Sequence, residues 1–330
     1  MAPDSVKGLT EGVSLGEFLK YGESLPAVDV TDEFRDALEK SNAFATILAA
    51  GKGSRFSSEL PKVIYPCLGI PMAAHALSAA EGAGIPSVLV VGYGKEQVLS
   101  SLLPYAGKSC LVAEDQLRIG TGHAVYVVSQ TVPKAYGGDV VVMYGDNPGI
   151  DSKTLRDLLS FHQSQKAFVG SRFAATILTG SRSAIKSKST SGYGRIIRNP
   201  EGDVVDIVEK KQIDRMEYHA VWQSPSGVSL SKTELEDMDE FNSGIVVASA
   251  NKYFRVLEQA TAVQTSPEPH RKFEFYATDF VKIMRASGLA IGGFKVDAKD
   301  TWKLEGANTV DELVQVEDRM KAAMATEENT

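Results

Sequence analysis

The sequence has little cysteine: Cys67 and Cys110 are the only two in 330 residues, with no paired spacing and no histidine cluster beside them. That excludes a disulfide scaffold and a thiolate zinc site, and both are expected as reduced thiols packed like small apolar side chains. Positive charge is not in surplus either. Lys and Arg number 35 against 42 Asp and Glu, a formal net charge of -7. A surface without a basic field does not suit nucleic acid, so any anionic substrate must be held by a few well-placed cations. No apolar run approaches the length of a membrane span, and the first 20 residues hold no region long enough for a signal peptide. The expectation is a cytoplasmic protein with no membrane partner. No internal repeat is visible, and nothing in the pattern speaks to oligomeric state.

What remains is ordinary for a globular protein, 43% hydrophobic and 23% charged, enough for one large domain or two smaller ones. From Phe44 onward, short β-rich runs alternate with helical stretches: residues 44–50 (F-A-T-I-L-A-A), 87–93, 109–113 and 139–144. Their continuous apolar character suits strands buried on both faces, and the intervals suit crossover helices such as 73–83 and 121–131. This predicts an α/β fold, a mainly parallel Rossmann-like mixed sheet with helices on both faces. Ligands of such sheets sit at the carboxyl edge. After about residue 165 the rhythm turns β-rich (168–178, 194–198, 204–209, 244–248), which predicts a second lobe facing the first, with a cleft between them as the substrate site. Residues 1–43 read as an amino-terminal arm in which Thr31 caps a short helix reaching Lys40. The basic, serine-rich stretch 181–191 reads as a solvated loop, with a phosphate-gripping lid as the alternative, and 212–239 as an irregular excursion.

The chemistry concentrates in residues 48–62, L-A-A-G-K-G-S-R-F-S-S-E-L-P-K, directly after the first predicted strand. Leu48, Ala49, Ala50, Gly51 and Gly53 let the backbone bend and bring N–H groups close to phosphate oxygens. Arg55 and Lys62 add cationic donors, one a planar fork and one a point charge. Dense negative charge, as on a triphosphate, is what such a turn meets. A dinucleotide fingerprint is excluded because Phe56 stands where its third glycine belongs, and no P-loop motif is present. Asp146 ends the apolar run of M-Y-G-D, where its carboxylate suits a hard cation. The alternative is a capping role for the helix after Asp151. Thr309 and Glu312 form a T-x-x-E capping box that places Asn308 just ahead of a final helix.

These segments, in order, resemble the signature of the sugar nucleotidyltransferases, the nucleotide-sugar pyrophosphorylases, and in particular the uridyltransferase domain of bacterial N-acetylglucosamine-1-phosphate uridyltransferase. The likeness continues through G-T-G-H-A (120–124), M-Y-G-D (143–146), G-Y-G-R-I (192–196), I-V-E-K-K (207–211), F-N-S-G-I (241–245), E-F-Y-A-T-D (274–279) and L-E-G-A-N (304–308), covering roughly 44–325. It implies the nucleotide-diphospho-sugar transferase fold, with a nucleotide-binding part at 44–165, a sugar-phosphate part at 166–308 and a terminal helix at 309–330. By resemblance, Asp146 and Asn308 hold Mg2+, with Arg55, Lys62 and Asp146 as the catalytic set. Leu48, Ala49, Ala50, Gly51, Gly53, Gln116, Gly120 and Thr121 face the nucleotide. Gly194, Glu209, Asn242, Tyr276 and Thr278 face the sugar phosphate. Tyr193 and Tyr276 can equally be packing aromatics, and His123 reads as an oriented helix residue.

One segment departs from the pattern. The run A-E-D-Q-L-R-I before G-T-G-H-A displaces Gln116 from the position where the family places a base-reading glutamine, so either Gln116 or Asp115 meets the base. The expected partners are a nucleoside triphosphate, UTP first, and a sugar 1-phosphate, N-acetylglucosamine 1-phosphate first. Another base, another sugar or cyclitol phosphate, or a catalytically silent nucleotide-sugar-binding subunit are the rival readings. The hexapeptide-repeat region of the family's bifunctional member is absent up to Thr330, so no acetyl transfer is expected.

Overall fold

In a computed structural model of the chain, residues 10–20, 28–53, 55–56, 58–185, 192–224, 227–265 and 272–327 are described. The strands are β1 (Ala43–Ala49), β2 (Ser87–Val91), β3 (Cys110–Glu114), β4 (Asp139–Tyr144), β5 (Phe173–Ser181), β6 (Arg195–Arg198), β7 (Val204–Val208), β8 (Glu240–Ser249) and β9 (Ala290–Lys295). They form one nine-stranded sheet in the order β9-β5-β8-β4-β1-β2-β3, with β6 pairing β8 and β7 pairing β6. Strands β1 to β4 run parallel, β8 is antiparallel to β4 and β5, and β9 is parallel to β5. The chain leaves β1 towards β2 and β3, then returns to β4 on the other side of β1. That reversal makes the carboxyl ends of β1 and β4 a topological switch point, the place where open α/β sheets take ligands.

The apolar runs explain the sheet. Every residue of β1 and β2 is buried. Phe44, Leu48, Val88, Val90, Val140 and Val142 face one core, with α2 (Asp32–Ser41), α5 (Thr121–Tyr126), α9 (Ala250–Leu257) and α10 (Phe280–Ala286) packed on that side. Ala45, Ile47, Leu89, Val91, Val141 and Met143 face the other, beneath α3 (Met72–Gly82), α4 (Lys95–Leu102) and α6 (Ser152–Val169). Strict alternation of side chains between two covered faces is why the strands read as unbroken apolar runs. Thr31 does cap α2, its hydroxyl accepting the Phe34 N–H at 3.3 Å, and Phe34 and Leu38 enter the first core.

Two local expectations change. Residues 168 and 169 end α6 instead of starting a strand; the aromatic and β-branched pair imitates strand composition, but Phe168 is 89% exposed on the helix and Gly170, at φ 79°, stops it. The 212–239 excursion is ordered by short elements: α7 (Lys210–Arg215), a two-stranded hairpin of 221–223 with 229–231, and α8 (Lys232–Asp237) capped by Ser231. They cover an apolar cluster of Ile197, Val205, Val208, Ile213 and Leu235. In the serine-rich loop, residues 186–191 lie outside the described residues, as do Ser54 and Ser57 of the glycine turn. Among the described residues no helix is long and apolar enough to cross a membrane.

Candidate active site

The chain turns at the carboxyl end of β1 between Ala50 and Gly53. Gly53 sits at φ 64°, and a Cβ there would stand 2.6 Å from the Cβ of Lys62. Glycine is thus required both by the left-handed backbone and by the lysine stem lying against it. At Gly51 a Cβ would meet nothing within 4 Å, so the backbone there faces open space.

Lys62 opens a 3-10 turn after Pro61 and is 7% exposed. A buried ammonium needs partners, and it has two. Nζ donates to Asp146 Oδ2 at 2.5 Å and to Asn308 Oδ1 at 3.0 Å. Arg55, exposed, donates to the same Asn308 oxygen at 2.9 Å. Asp146 is brought there by the end of β4, where Gly145 N–H donates to the Leu48 carbonyl at 3.0 Å, and Ala307 N–H donates back to the Asp146 carbonyl at 2.9 Å. Asp151, not Asp146, caps α6, accepting the Thr154 N–H at 2.7 Å, so the capping alternative for Asp146 falls away. The capping pair ahead of α11 (Val310–Glu327) is also formed: Glu312 N–H donates to Thr309 Oγ1, and the Glu312 carboxylate accepts the Asn308 N–H at 2.6 Å. The return bond reaches one residue earlier than a standard box and fixes Asn308 itself. Tyr193 adds a further anchor, its hydroxyl oxygen accepting the Gly306 N–H at 2.7 Å.

Two hard oxygens, Asp146 Oδ2 and Asn308 Oδ1, therefore already converge on one cation. Among the described residues no group of three or more His, Cys, Asp and Glu is set to hold a metal. A carboxylate and an amide oxygen alone fit a metal that keeps water and takes phosphate oxygens for its other ligands, as Mg2+ does.

A second group lies along β6, β7 and β8. The bulge of β8 between Asn242 and Val246 is shaped by Gly244 at φ 85°, whose N–H donates to Asn242 Oδ1 at 2.9 Å. With that oxygen engaged, Asn242 offers a ligand its NH2. Its own N–H donates to the Gly194 carbonyl at 2.9 Å, and a Cβ on Gly194 would lie 3.3 Å from Glu209 Oε2. Burial raises the Glu209 carboxyl above its usual range, with a hydrogen bond from Thr278 pulling the other way. Tyr276 is half-buried beside Glu274 and Glu209, and burial raises its hydroxyl too. Gly194, Glu209, Asn242, Tyr276 and Thr278 are thus brought together.

The loop ahead of α5 joins this group through main chain and through Thr121. Ile119 O accepts the Phe275 N–H and Phe275 O accepts the Gly122 N–H, both at 2.8 Å; Thr121 Oγ1 accepts the Ala277 N–H at 3.0 Å. Gly120 sits at φ 105°, and any Cβ there would overlap the Phe275 main chain. Gln116 is exposed, with no hydrogen bond to either group among the described residues. Asp115 is 2% exposed, and its Oδ1 accepts the Arg118 N–H and meets His123 Nδ1, both at 2.8 Å. Arg118 turns outward at φ 54°, while Ile119 turns in. Asp115 is thus engaged within its own segment, and His123 is an oriented buried residue. Sequence reasoning missed Tyr193 as an anchor and Thr121 as a link, because their partners lie 113 and 156 residues away.

Comparison with known proteins bears on the family and the fold. Residues 45–187 match the MobA-like NTP transferase domain. The Bifunctional protein GlmU of Pelobacter propionicus is 34% identical over 275 residues, 83% of this chain and 51% of that protein. GlmU of Streptococcus equi subsp. zooepidemicus is 31% identical over 283 residues, 86% of this chain and 50% of that protein. The chain thus spans about half the length of these relatives. Among solved structures, the inositol-1-phosphate CTP transferase from T. maritima superposes with a TM-score of 0.52 at 16% identity, covering 85% of this chain and 95% of that one, a likeness of fold. Taken with the ordered motifs, the sheet and the cation network at its carboxyl edge, these matches establish that the chain belongs to the sugar nucleotidyltransferases.

Proposed function

We propose that the protein joins a nucleoside triphosphate to a sugar 1-phosphate and releases pyrophosphate, with UTP and N-acetylglucosamine 1-phosphate as first candidates. The observation that carries this reading is the meeting of Lys62, Arg55, Asp146 and Asn308 at the carboxyl ends of β1 and β4, beside a glycine turn. We assign residues 44–165 to the nucleotide, 166–308 to the sugar phosphate, and 309–330 to a terminal helix, with 1–43 as an added arm. The setting is the cytoplasm.

In this reading a phosphate oxygen of the sugar 1-phosphate attacks the α-phosphorus. One P–O bond forms, the bond to the bridging oxygen breaks, and pyrophosphate leaves with its electron pair. The attacking oxygen is already anionic near neutral pH, so no general base is needed, and catalysis reduces to holding two repelling anions in line and neutralising charge. The backbone at Gly51 and Gly53 receives the phosphates, Arg55 binds the departing pyrophosphate, and Lys62 moves its charge onto the α-phosphate. Glu209 accepts from sugar hydroxyls and Asn242 donates through its NH2. Mg2+ held by Asp146 and Asn308 would supply further neutralisation between nucleotide and acceptor. A pyrophosphate-release screen of four triphosphates against a panel of sugar 1-phosphates tests the reading; no release with any pair under Mg2+ overturns it.

A further inference from the structure

A short piece of the amino-terminal arm is docked against the back of the substrate loops. Gly12 N–H donates to Ala262 O, Ala262 N–H to Val13 O, Leu15 N–H to Ala260 O and Gly16 N–H to Glu258 O, at 2.8–3.0 Å. An antiparallel bridge joins Ser14 to Thr261. A Cβ on Gly16 would stand 3.1 Å from the Glu258 carbonyl, so glycine permits the close approach. The turn that follows, α1 (Leu15–Lys20), is closed by Ser14 and Glu17, which exchange hydrogen bonds at its start. This docking sends Leu15 and Phe18 inward, 0% and 3% exposed, into a cluster with Ile119, Phe275, Ala260 and Ala262. The rings of Phe18 and Phe275 lie 6.3 Å apart.

Ile119 precedes Gly120, and Phe275 precedes Tyr276. Their main chains are bonded to each other, and Thr121 is bonded to Ala277. One apolar cluster therefore backs both the base-side and the sugar-side loop, and the arm supplies two of its six buried members, Leu15 and Phe18. We propose that Phe18 and Leu15 are positioning residues that hold the two loops as one unit, so that the arm sets the affinity for nucleotide and sugar phosphate together. The proposal rests on the assignment of Gly120 to the nucleotide and of Tyr276 and Thr278 to the sugar phosphate. Without the arm the loops keep their mutual hydrogen bonds but lose their backing. Each substrate must then order both loops as it binds, a cost that falls on affinity. Lys62, Asp146 and Asn308 stand on the turn after Pro61, just past the end of β4 and just ahead of α11, and none of these segments contributes to the cluster around Phe18, so turnover at saturation is left alone.

The test is Phe18→Ala in the full chain. The KM values for nucleotide and sugar phosphate should rise together, each at least about fivefold, with kcat within about twofold of the parent. Amide exchange should quicken at Gly122 and Phe275 and stay unchanged in β1 and β2. Phe18→Leu, which keeps an apolar filling, should return both KM values close to the parent. If Phe18→Ala does not fold, Phe18→Val should show the same joint rise at smaller size. A rise confined to one substrate, a loss of kcat with KM unchanged, or unchanged exchange at both amides overturns the proposal. Exchange reads the link between arm and loops without substrate, so it separates this inference from the functional reading, which fails instead if the parent protein releases no pyrophosphate.

Discussion

Replacing Lys62 by Met keeps most of the stem that lies against Gly53 and removes the charge. In the ligand-free protein Nζ holds Asp146 Oδ2 at 2.5 Å and Asn308 Oδ1 at 3.0 Å. The lysine side chain is 8% exposed and the aspartate 26%, so the pair is only partly screened. A hydrogen bond to a charged group in such a setting is worth roughly 1.5–3 kcal/mol. A divalent cation that uses the same two oxygens must displace the ammonium, so that energy opposes metal binding until a phosphate draws Lys62 away. Lys62→Met should therefore bind Mn2+ about tenfold tighter or more without nucleotide, since each 1.4 kcal/mol is about tenfold. The same variant should lose at least about 100-fold in kcat, about 2.7 kcal/mol, because no cation then meets the α-phosphate. Titration calorimetry with Mn2+ and a pyrophosphate-release assay give the two numbers. Opposite signs from one substitution are hard to obtain by damage to the fold. Weaker or equal Mn2+ binding would refute the shared-oxygen reasoning, and unchanged turnover would remove Lys62 from catalysis.

Other expected outcomes follow from single contacts. Tyr193→Phe removes the acceptor for Gly306 N–H, loosening the loop that carries Asn308, and should weaken Mn2+ binding about fivefold, or about 1 kcal/mol; unchanged affinity removes the anchor role. Burial raises the Glu209 carboxyl, so its protonated form favours the fold: that stability is complete below the unfolded carboxylate value and is lost as pH climbs through the raised one. Glu209→Gln should thus raise Tm against the parent at pH near 8 more than at pH near 4, while KM for the sugar phosphate rises about tenfold; an equal Tm change at both ends contradicts the burial argument. Asp115→Asn should cost about 1–3 kcal/mol of stability and weaken all nucleotides alike, because the carboxylate holds the Arg118 N–H and His123. Gln116→Ala should lower UTP efficiency at least about fivefold and leave GTP use little changed; no effect on UTP removes Gln116 from base reading.

Much of the sheet is legible in the sequence because strands buried on both faces leave continuous apolar runs. Residues 139–144 and 87–91 announce themselves without any knowledge of their neighbours. The same rule explains the failure at Phe168. An aromatic followed by valine reads as strand, yet what ends α6 is the left-handed backbone at Gly170, and composition carries no sign of which element that glycine closes. In 212–239 the elements are too short for a period to show, and only the cluster beneath them gives them order.

The site divides along a different line. Candidates for the chemistry could be read from types: a glycine turn, two cations, a carboxylate at a strand end. Where they meet could not, because Lys62 reaches Asp146 and Asn308 across 84 and 246 residues, and only the order of strands about β1 closes those distances. The two glycines of the turn show the difference. Both suit close approach to phosphate on sequence grounds, but the structure separates them, since Gly53 is required by the lysine stem and only Gly51 opens onto free space. Asp115 shows it again. A carboxylate just ahead of the G-T-G-H-A segment is chemically ambiguous until its oxygen is seen to be taken by the Arg118 N–H and His123. The arm is the extreme case, because Leu15 and Phe18 on a single turn carry no periodicity worth reading, and their meaning comes wholly from Ile119 and Phe275, more than 100 residues away. A residue type can therefore nominate itself for catalysis from sequence, whereas a positioning residue is defined by what stands behind the site, and that is known only once the chain has closed on itself.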